Sequence, residues 1–204
     1  QALLIDFQTL EARPVVLPAD TRVMIVNSNV RRGLVDSEYN SRRLQCEAAA
    51  EQLGVKVLRD VSVETFEARA AELEPLVRRR ARHVVTENAR VLLAETALNS
   101  GDLTTMARLM AESHASMRDD FEITVAPIDV LVTLIKSELG EAGGVRMTGG
   151  GFGGSTISLV KTSQAKPVLA CYEEYYQEYT GQRLDAFVTR PAQGAQAFPI
   201  ASIH

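Results

Sequence analysis

Apolar and β-branched residues form short stretches near both ends of the chain and follow a helical period in its middle. The stretches that predict strands are residues 2–7, 15–18, 21–26, 155–160 and 184–188, and alternation places Arg146 on one more strand. Strands around a helix-rich middle predict an α+β fold, in which helices pack on one face of an antiparallel sheet. The order of elements in the second half resembles a split β-α-β arrangement.

Helix boundaries are marked by capping residues, prolines and glycines. The predicted helices are residues 37–53, a short helix within 60–71, and residues 75–101, 102–116, 127–139 and 164–179. Ser37, Ser62 and Asp102 are candidate N-caps, because their side-chain oxygens can accept hydrogen bonds from the free N–H groups of a first turn. No internal repeat or low-complexity linker is visible, which favours one domain over residues 1–204 with a helical insertion. The tail from Pro191 is predicted to be irregular.

Composition narrows the class of protein. The chain has 204 residues, of which 46% are hydrophobic and 24% charged, and its net charge of −4 argues against nucleic-acid binding through bulk charge. No apolar run reaches the ~18 residues of a membrane helix, and no signal peptide is visible, although the chain begins at Gln1 rather than Met. Cys46 and Cys171 lie far apart and are predicted to be reduced, partly buried thiols, which fits a cytoplasmic protein.

The densest local signal is a glycine run over residues 143–154, which holds seven of the 13 glycines. Bare backbone of this kind suits a turn with positive φ or the close approach of an anionic ligand. The run fits G-x-G-x-x-G, but β-forming residues 156–160 follow where a dinucleotide site needs a helix, and Ser155 stands where a Walker A loop needs lysine. The other protein kinase motifs are missing from the sequence. The run is therefore a hairpin that either faces a phosphate or only packs tightly, and both interpretations stay open.

Two further clusters of polar and charged residues are explained more simply by structural roles than by catalysis or ligand binding. Residues 78–82 contain four arginines, but a helix with an apolar stripe is predicted there, which favours a solvated helix face over a nucleic-acid site. His114 with neighbouring serines and Asp119 or Asp120 suggests a catalytic triad, yet Ser113 and His114 point about 100° apart on a helix. A buried, hydrogen-bonded histidine is the favoured interpretation. Asp119 and Asp120 are more typical of a solvated turn or cap than of a Mg²⁺ site.

Four segments together resemble the galactokinase branch of the GHMP kinases. The glycine run, with Arg-Met-Thr before its later glycines and Phe152 among them, is similar to the third conserved motif of that family in its galactokinase form. The other segments lie in the matching order and are residues 27–29 with 37–46, residues 83–90 and residues 110–120. The family's sugar-binding motif, nucleotide loop and catalytic aspartate are missing from the chain. The resemblance is therefore to the C-terminal domain of such a kinase, separated from its N-terminal ATP- and sugar-binding domain.

The resemblance implies a fold, an activity and site residues. The implied fold is a ferredoxin-like GHMP kinase C-terminal domain, and the implied enzyme phosphorylates α-D-galactose at O1 with ATP and Mg²⁺. Tyr39 matches a tyrosine whose hydroxyl contacts the sugar, whereas a tyrosine without that match is more often packed at a helix start with its hydroxyl in solvent. The glycines implied at the phosphate cleft are Gly149, Gly150, Gly151 and Gly153.

Arg146 is the one charge within the glycine run, and two roles stay open for it. It either reaches a phosphate or forms a structural ion pair. Catalytic residues and Mg²⁺ ligands are expected in the absent domain, so none is assigned to this chain. The expected partners are galactose, ATP and the missing N-terminal half, without nucleic acid or membrane.

Three functions remain in competition. The first is the C-terminal domain of a galactokinase, inactive by itself. The second is a non-catalytic relative that senses sugar and nucleotide and regulates a partner. The third is a scaffold domain whose glycines are purely structural. The first function also predicts an exposed apolar patch where the missing half belongs.

Overall fold

The structure is a computed structural model that describes residues 2–30 and 35–192, with side chains for all of these except 35–37 and 171–174. Its strands are β1 (Ala2–Asp6), β2 (Glu11–Val15), β3 (Thr21–Asn27), β4 (Gly144–Thr148), β5 (Ser155–Lys161) and β6 (Asp185–Thr189). Its helices are α1 (Val35–Gln52), α2 (Val63–Arg69), α3 (Pro75–Ser100), α4 (Leu103–Ser116), α5 (Ala126–Leu139) and α6 (Ala165–Thr180). Short 3₁₀ turns at Leu58–Asp60 and Ala70–Glu72 flank α2, and a π-helical turn at Met117–Phe121 follows α4.

Four strands form the main sheet in the order β4-β5-β3-β6, and each neighbouring pair is antiparallel. Because side chains alternate between the two faces of a sheet, one face presents a set of buried apolar residues to α5 and α6. The sheet's share of this main core is Met24, Val26, Val145, Met147 and Val160. The predicted α+β fold with an antiparallel sheet is confirmed.

A second apolar cluster lies among α1, α2 and α3. Its centre is Phe66 of α2, which is fully buried and packs with Leu53, Val77, Ala81 and Val85. These helices form the predicted helical insertion between β3 and β4.

Strands β1 and β2 form a separate hairpin instead of joining the main sheet. The prediction of a strand over residues 15–18 is wrong, because β2 covers Glu11–Val15. The hairpin turn decides this register: Asp6 Oδ1 accepts hydrogen bonds from the N–H groups of Gln8 and Thr9 at 2.8 and 3.2 Å, and Leu10 adopts a φ of 60°. Pairing with β1, rather than apolar content, therefore makes residues 11–14 a strand.

The N-caps of two helices are confirmed. The side chains of Ser62 and Asp102 each accept a hydrogen bond from the backbone N–H three residues later, at 3.1 and 2.9 Å. The prediction for Ser37 is wrong, because α1 begins two residues earlier, at Val35. Most of the tail predicted to be irregular, from residue 193 onward, lies outside the described residues.

Of the two cysteines predicted to be reduced and partly buried, the structure describes the side chain of Cys46. Cys46 is a half-buried free thiol, and burial raises its pKa to about 11, so it is protonated and unreactive near neutral pH. The side chain of Cys171 lies outside the described part of the chain. Across residues 2–30 and 35–192, no helix combines the length and the apolar character that a membrane span needs.

Candidate functional site

The glycine loop, residues 149–154, connects β4 to β5 and has two different halves. Gly149 and Gly150 are exposed, whereas Gly151 and Gly153 are buried. The φ angle is 85° at Gly149, 87° at Gly151 and 125° at Gly153, a region that residues with side chains rarely adopt. The turn itself therefore requires glycine, but only the first half of the loop faces solvent.

The buried half of the loop packs against the protein's own backbone. A Cβ atom at Gly151 would lie 2.5 Å from the carbonyl oxygen of Ile123, and one at Gly153 would lie 2.7 Å from that of Val30. Between them, the N–H of Phe152 donates to the Ile123 oxygen at 2.6 Å. Gly151 and Gly153 thus serve tight packing, and the exposed first half of the loop is the part whose backbone a ligand can approach. The packing interpretation therefore holds for Gly151 and Gly153, whereas the phosphate-facing interpretation stays a prediction for Gly149 and Gly150.

The polar turn after β3 holds the end of the glycine loop. Ser28 is fully buried, and both its N–H and its hydroxyl donate to the carbonyl oxygen of Gly154, at 2.9 and 2.7 Å. The hydroxyl of Tyr176 on α6 donates in turn to the carbonyl oxygen of Ser28 at 3.0 Å. These hydrogen bonds tie the loop to a helix of the main core.

Arg146 lies on β4 and is paired with Glu87 of α3. Its Nη1 donates to Glu87 Oε1 at 2.6 Å and to Ser113 Oγ at 2.7 Å. The Ser113 hydroxyl and Arg90 Nε also donate to the Glu87 carboxylate, at 2.6 and 2.8 Å. Burial raises the pKa of Glu87, but hydrogen bonds from Ser113 and Arg90 and the charge of Arg146 outweigh it, so the pKa lies below its usual value. These contacts favour the structural ion pair for Arg146 over a phosphate contact.

Tyr39 lies on α1, and its side chain is 62% exposed. One turn further along the helix, the guanidinium carbon of Arg42 lies 5.8 Å from the centroid of the Phe152 ring in the glycine loop. Because three helical residues rise by about 4.5 Å, the turn that carries Tyr39 lies close to that contact. The phenol is therefore exposed on the helix that contacts the glycine loop.

The connector, residues 117–125 between α4 and α5, contacts α1, α3 and the glycine loop. Arg42 donates from Nε and Nη2 to the carbonyl oxygens of Phe121 and Glu122, at 2.7 and 3.0 Å. The Glu122 carboxylate binds Arg79 and Arg80 at 2.5 Å each. Glu122 holds this position with a φ of 54°, which is uncommon for a residue with a side chain.

Three of the four arginines in residues 78–82 are paired with the connector, namely Arg79, Arg80 and Arg82. Arg80 is only 2% exposed, so the expected solvated face is wrong at this position, and Glu122 supplies the counter-charge that its burial requires. Arg82 Nη1 lies 3.1 Å from Asp120 Oδ1. These internal partners give no support to a nucleic-acid site.

A histidine, a serine and an aspartate do meet, but they do not form a catalytic triad. His83 Nδ1 lies 3.0 Å from Ser116 Oγ, and Ser116 donates to Asp120 Oδ2 at 3.0 Å. Because the single hydroxyl proton is directed to the aspartate, His83 must donate to the serine, which is the reverse of a general base. The His83 ring also stacks on Phe121, with centroids 4.5 Å apart. The cluster joins α3 to the connector.

His114 is buried, as predicted. Its Nδ1 lies 3.4 Å from the backbone N–H of Met147, which donates to it. Its Nε2 lies 3.2 Å from Asp129 Oδ1, although the two atoms are not aligned for a hydrogen bond. His114 therefore joins α4 to β4 and α5 and does not contact the two serines as a base.

The paired aspartates have protein partners. Asp119 accepts two hydrogen bonds from Arg118, at 2.7 and 2.8 Å, and Asp120 is held by Ser116 and Arg82. In the part of the chain that the structure describes, no group of three or more histidine, cysteine or acidic side chains could hold a metal ion. A Mg²⁺ site at Asp119 and Asp120 therefore finds no support.

An apolar groove of about 830 Å³ lies between the β1–β2 hairpin and α3. Large apolar side chains are exposed in or near it, with Phe7 82%, Leu10 77% and Leu92 56% exposed. Ion pairs from Asp6 to Arg59 and from Arg13 to Glu95 hold the hairpin in place. An exposed apolar surface is therefore present here, and its coverage by a missing half stays a prediction.

Sequence reasoning missed two residues of the site, Arg42 and Glu122. The resemblance includes Arg42 within residues 37–46 but implies no role for it. The partners of Glu122 lie about 40 positions away in the chain, so no local pattern marks it. The only available signal was the aromatic Phe152 within a glycine run, since an exposed aromatic ring there needs a partner to cover it.

Comparisons with known proteins identify the fold. Residues 94–178 match the family model described as GHMP kinases C terminal. Among solved structures, the chain is similar to galactokinase from Lactococcus lactis complexed with galactose, with 32% identity and a TM-score of 0.85. That alignment covers 92% of this chain and 50% of the galactokinase chain.

Two more distant structures share the fold. L. major mevalonate kinase in complex with R-mevalonate is 14% identical to this chain, with a TM-score of 0.57. The alignment covers 90% of this chain and 47% of the mevalonate kinase chain. Homoserine kinase from Cytophaga hutchinsonii is 12% identical to this chain, with a TM-score of 0.54. That alignment covers 92% of this chain and 47% of the homoserine kinase chain. The chain thus spans about half the length of the solved structures that it matches.

Proposed function

Because this chain carries a GHMP kinase C-terminal domain, we propose that it forms the C-terminal half of a galactokinase, which transfers the γ-phosphoryl group of MgATP to O1 of α-D-galactose. The observation that carries the proposal is the contact of the Tyr39 helix with the glycine loop, through Arg42 and Phe152. This contact joins the helix that carries the Tyr39 hydroxyl, a group that can bind a sugar, to a loop whose bare backbone can face a phosphate. The 32% identity to a galactokinase supports galactose over the substrates of the more distant relatives.

In the proposed reaction, this half positions groups and does not itself react. The Tyr39 hydroxyl hydrogen-bonds the sugar, and the exposed backbone of Gly149 and Gly150 allows the phosphate-binding loop of the other half to approach. The ion pair of Arg146 with Glu87 keeps β4 in place beneath the loop. Phosphoryl transfer depends mostly on positioning and charge stabilisation, so such contacts contribute directly to the rate.

We assign the remaining chemistry to the N-terminal half. That half supplies the nucleotide loop, the catalytic base and the Mg²⁺ ligands, and Mg²⁺ neutralises charge on the phosphates when it is bound. The apolar groove between the hairpin and α3 is the surface that this half covers. The free thiol of Cys46 fits a cytoplasmic location, because disulfides are rare in that compartment.

The direct test compares the isolated chain with the full-length protein, each mixed with galactose and MgATP while ADP release is followed. We expect turnover from the full-length protein and none from the isolated chain. Substitution of Tyr39→Phe in the full-length protein should raise the KM for galactose roughly tenfold, because one hydrogen bond to the sugar is lost, and leave the KM for ATP unchanged.

Each outcome separates the competing functions. Turnover by the isolated chain contradicts its assignment as an incomplete half. A full-length protein that binds galactose and ATP but releases no ADP favours the sensor. A Tyr39→Phe variant with an unchanged KM for galactose removes Tyr39 from the sugar site.

A further inference from the structure

Arg42 touches three parts of the structure at once. Its Nε and Nη2 donate to two successive carbonyl oxygens of the connector, those of Phe121 and Glu122. Its guanidinium group lies over Phe152 of the glycine loop, and its Nη1 pairs with Glu38 one turn back on α1, at 3.3 Å. We propose that Arg42 is a positioning residue of the kinase, which holds the sugar-binding turn of α1 in register with the glycine loop. This inference rests on the proposed function.

The chemistry of arginine suits this position better than that of lysine. A guanidinium group offers several donors in a fixed fork and a flat face that stacks on aromatic rings. The fork is used here, since two donors meet successive carbonyls, and the charge lies over the Phe152 ring. The Arg42 side chain is only 11% exposed, so water has little access to replace these hydrogen bonds. Lysine would keep the charge but lose the fork.

The connector carries the effect of Arg42 to the glycine loop. The residue after the two bound carbonyls is Ile123, whose own carbonyl oxygen accepts the N–H of Phe152 and packs against Gly151. The connector is also bound to α3 through the Glu122 carboxylate. Arg42 therefore adds α1 to a junction that already joins α3 and the loop.

Tyr39 lies three residues before Arg42 on the same helix. With Arg42 removed, the first turns of α1 lose both their hydrogen bonds to the connector and their contact with Phe152. The phenol and the loop would then no longer be held at a fixed separation. Misplacement of a positioning group by about 1 Å is enough to lower a rate strongly.

The neighbouring Arg43 is a matched control. Its side chain is 56% exposed and, within the described part of the chain, pairs with Glu47 of α1 at 2.7 Å. Substitution of Arg43→Gln removes the same charge from the same helix without touching the connector or the loop. The test compares Arg42→Gln, Arg42→Lys and Arg43→Gln in the full-length protein.

Kinetics give the first measurement. A charge-assisted hydrogen bond corresponds to roughly a tenfold effect or more, so Arg42→Gln should lower kcat/KM for galactose by at least that factor. Arg42→Lys should recover part of the loss, and Arg43→Gln should match the parent protein. When Tyr39→Phe is combined with Arg42→Gln, the two losses should be less than additive, whereas Tyr39→Phe with Arg43→Gln should be additive.

Amide hydrogen exchange gives a second measurement that does not depend on activity. In Arg42→Gln, exchange should accelerate over residues 149–154 and in the first turns of α1, and stay at the parent level in α5. This result supports the junction even if the full-length protein proves not to phosphorylate galactose, in which case only the proposed function fails.

Two results would overturn the inference. One is Arg42→Gln with unchanged exchange in the glycine loop. The other is a lower melting temperature together with parent-like kcat and KM for each folded molecule, which would leave Arg42 a purely structural role.

Discussion

Adjacent glycines of the loop have different surroundings, so substitutions can separate packing from function. Gly151→Ala should be strongly destabilising, because its Cβ would lie 2.5 Å from a backbone oxygen at a φ of 87°, and such strain costs roughly 1–3 kcal/mol or more. Gly150→Ala, at an exposed position, should leave the free energy of unfolding nearly unchanged and lower only the kinase rate. Urea denaturation of both variants checks this. Equal stability losses would contradict the division of the loop into two halves.

His83 should make the stability of the protein depend on pH in mildly acidic conditions. Burial lowers its pKa to about 4, against 6.5 for an ordinary histidine, so between these values the unfolded chain binds a proton that the folded chain does not. The stability that comes from keeping His83 neutral is therefore fully present above pH 6.5. It is lost as the pH falls towards 4, which lowers the free energy of unfolding by up to about 3 kcal/mol.

Urea unfolding at several pH values between 4 and 7.5 measures the slope of the free energy of unfolding against pH. His83→Gln should reduce this slope, whatever the effect of the substitution on stability at pH 7.5. An equal slope in the parent and the variant would show that other groups cause the acid sensitivity. Glu87 is a poor candidate for this window, because its pKa lies below the usual value and its contribution is lost only at lower pH.

At the level of single residues, local patterns identify the glycine loop but not the contacts made around it. The glycine run was identified from its residue types, whereas Tyr39 was assigned only through the family resemblance, and its sugar-binding role stays a prediction. The ion pair of Arg146 with Glu87 and the contacts of Arg42 join residues about 60 to 110 positions apart. No local pattern specifies such pairs, because they depend on how helices pack against strands.

Among the elements, helices were more predictable than strands. Caps such as Ser62 and Asp102 act within four residues, so the sequence contains the whole signal. Strand β2 depends on its pairing with β1, and its polar residues alone do not predict it. The π-helical turn of the connector was not predicted, because its contacts with α1 and α3 come from distant parts of the chain.

The connector offers a test of stored backbone strain. Glu122 has a φ of 54°, and both Glu122→Ala and Glu122→Gly remove its pairs with Arg79 and Arg80. Glycine adopts this φ readily, so Glu122→Gly should be more stable than Glu122→Ala by about 1 kcal/mol. Thermal denaturation of both variants measures the difference. Alanine as stable as glycine would show that the connector relaxes to another conformation.

For the whole molecule, the exposed apolar residues of the hairpin predict self-association of the isolated chain. Hairpins of two strands are marginally stable alone, and this one presents Phe7 and Leu10 to solvent. Light scattering should show an average mass that increases with concentration, and Phe7→Ser with Leu10→Ser should reduce it. The exposed pair Tyr175 and Tyr179 on α6, changed to serine, is the control. A monomer at every concentration would contradict this prediction.

The strand order of the main sheet has a consequence for biosynthesis. Strand β3 lies between β5 and β6, but both partners are translated only after all of α1 to α5. While the ribosome makes those helices, β3 has two open edges and an uncovered apolar face, which is the kind of surface that chaperones bind. The helices around Phe66 contact segments close to them in the chain and can pack during this interval. The glycine loop, at the turn between β4 and β5, therefore takes shape only after all of those helices have been made.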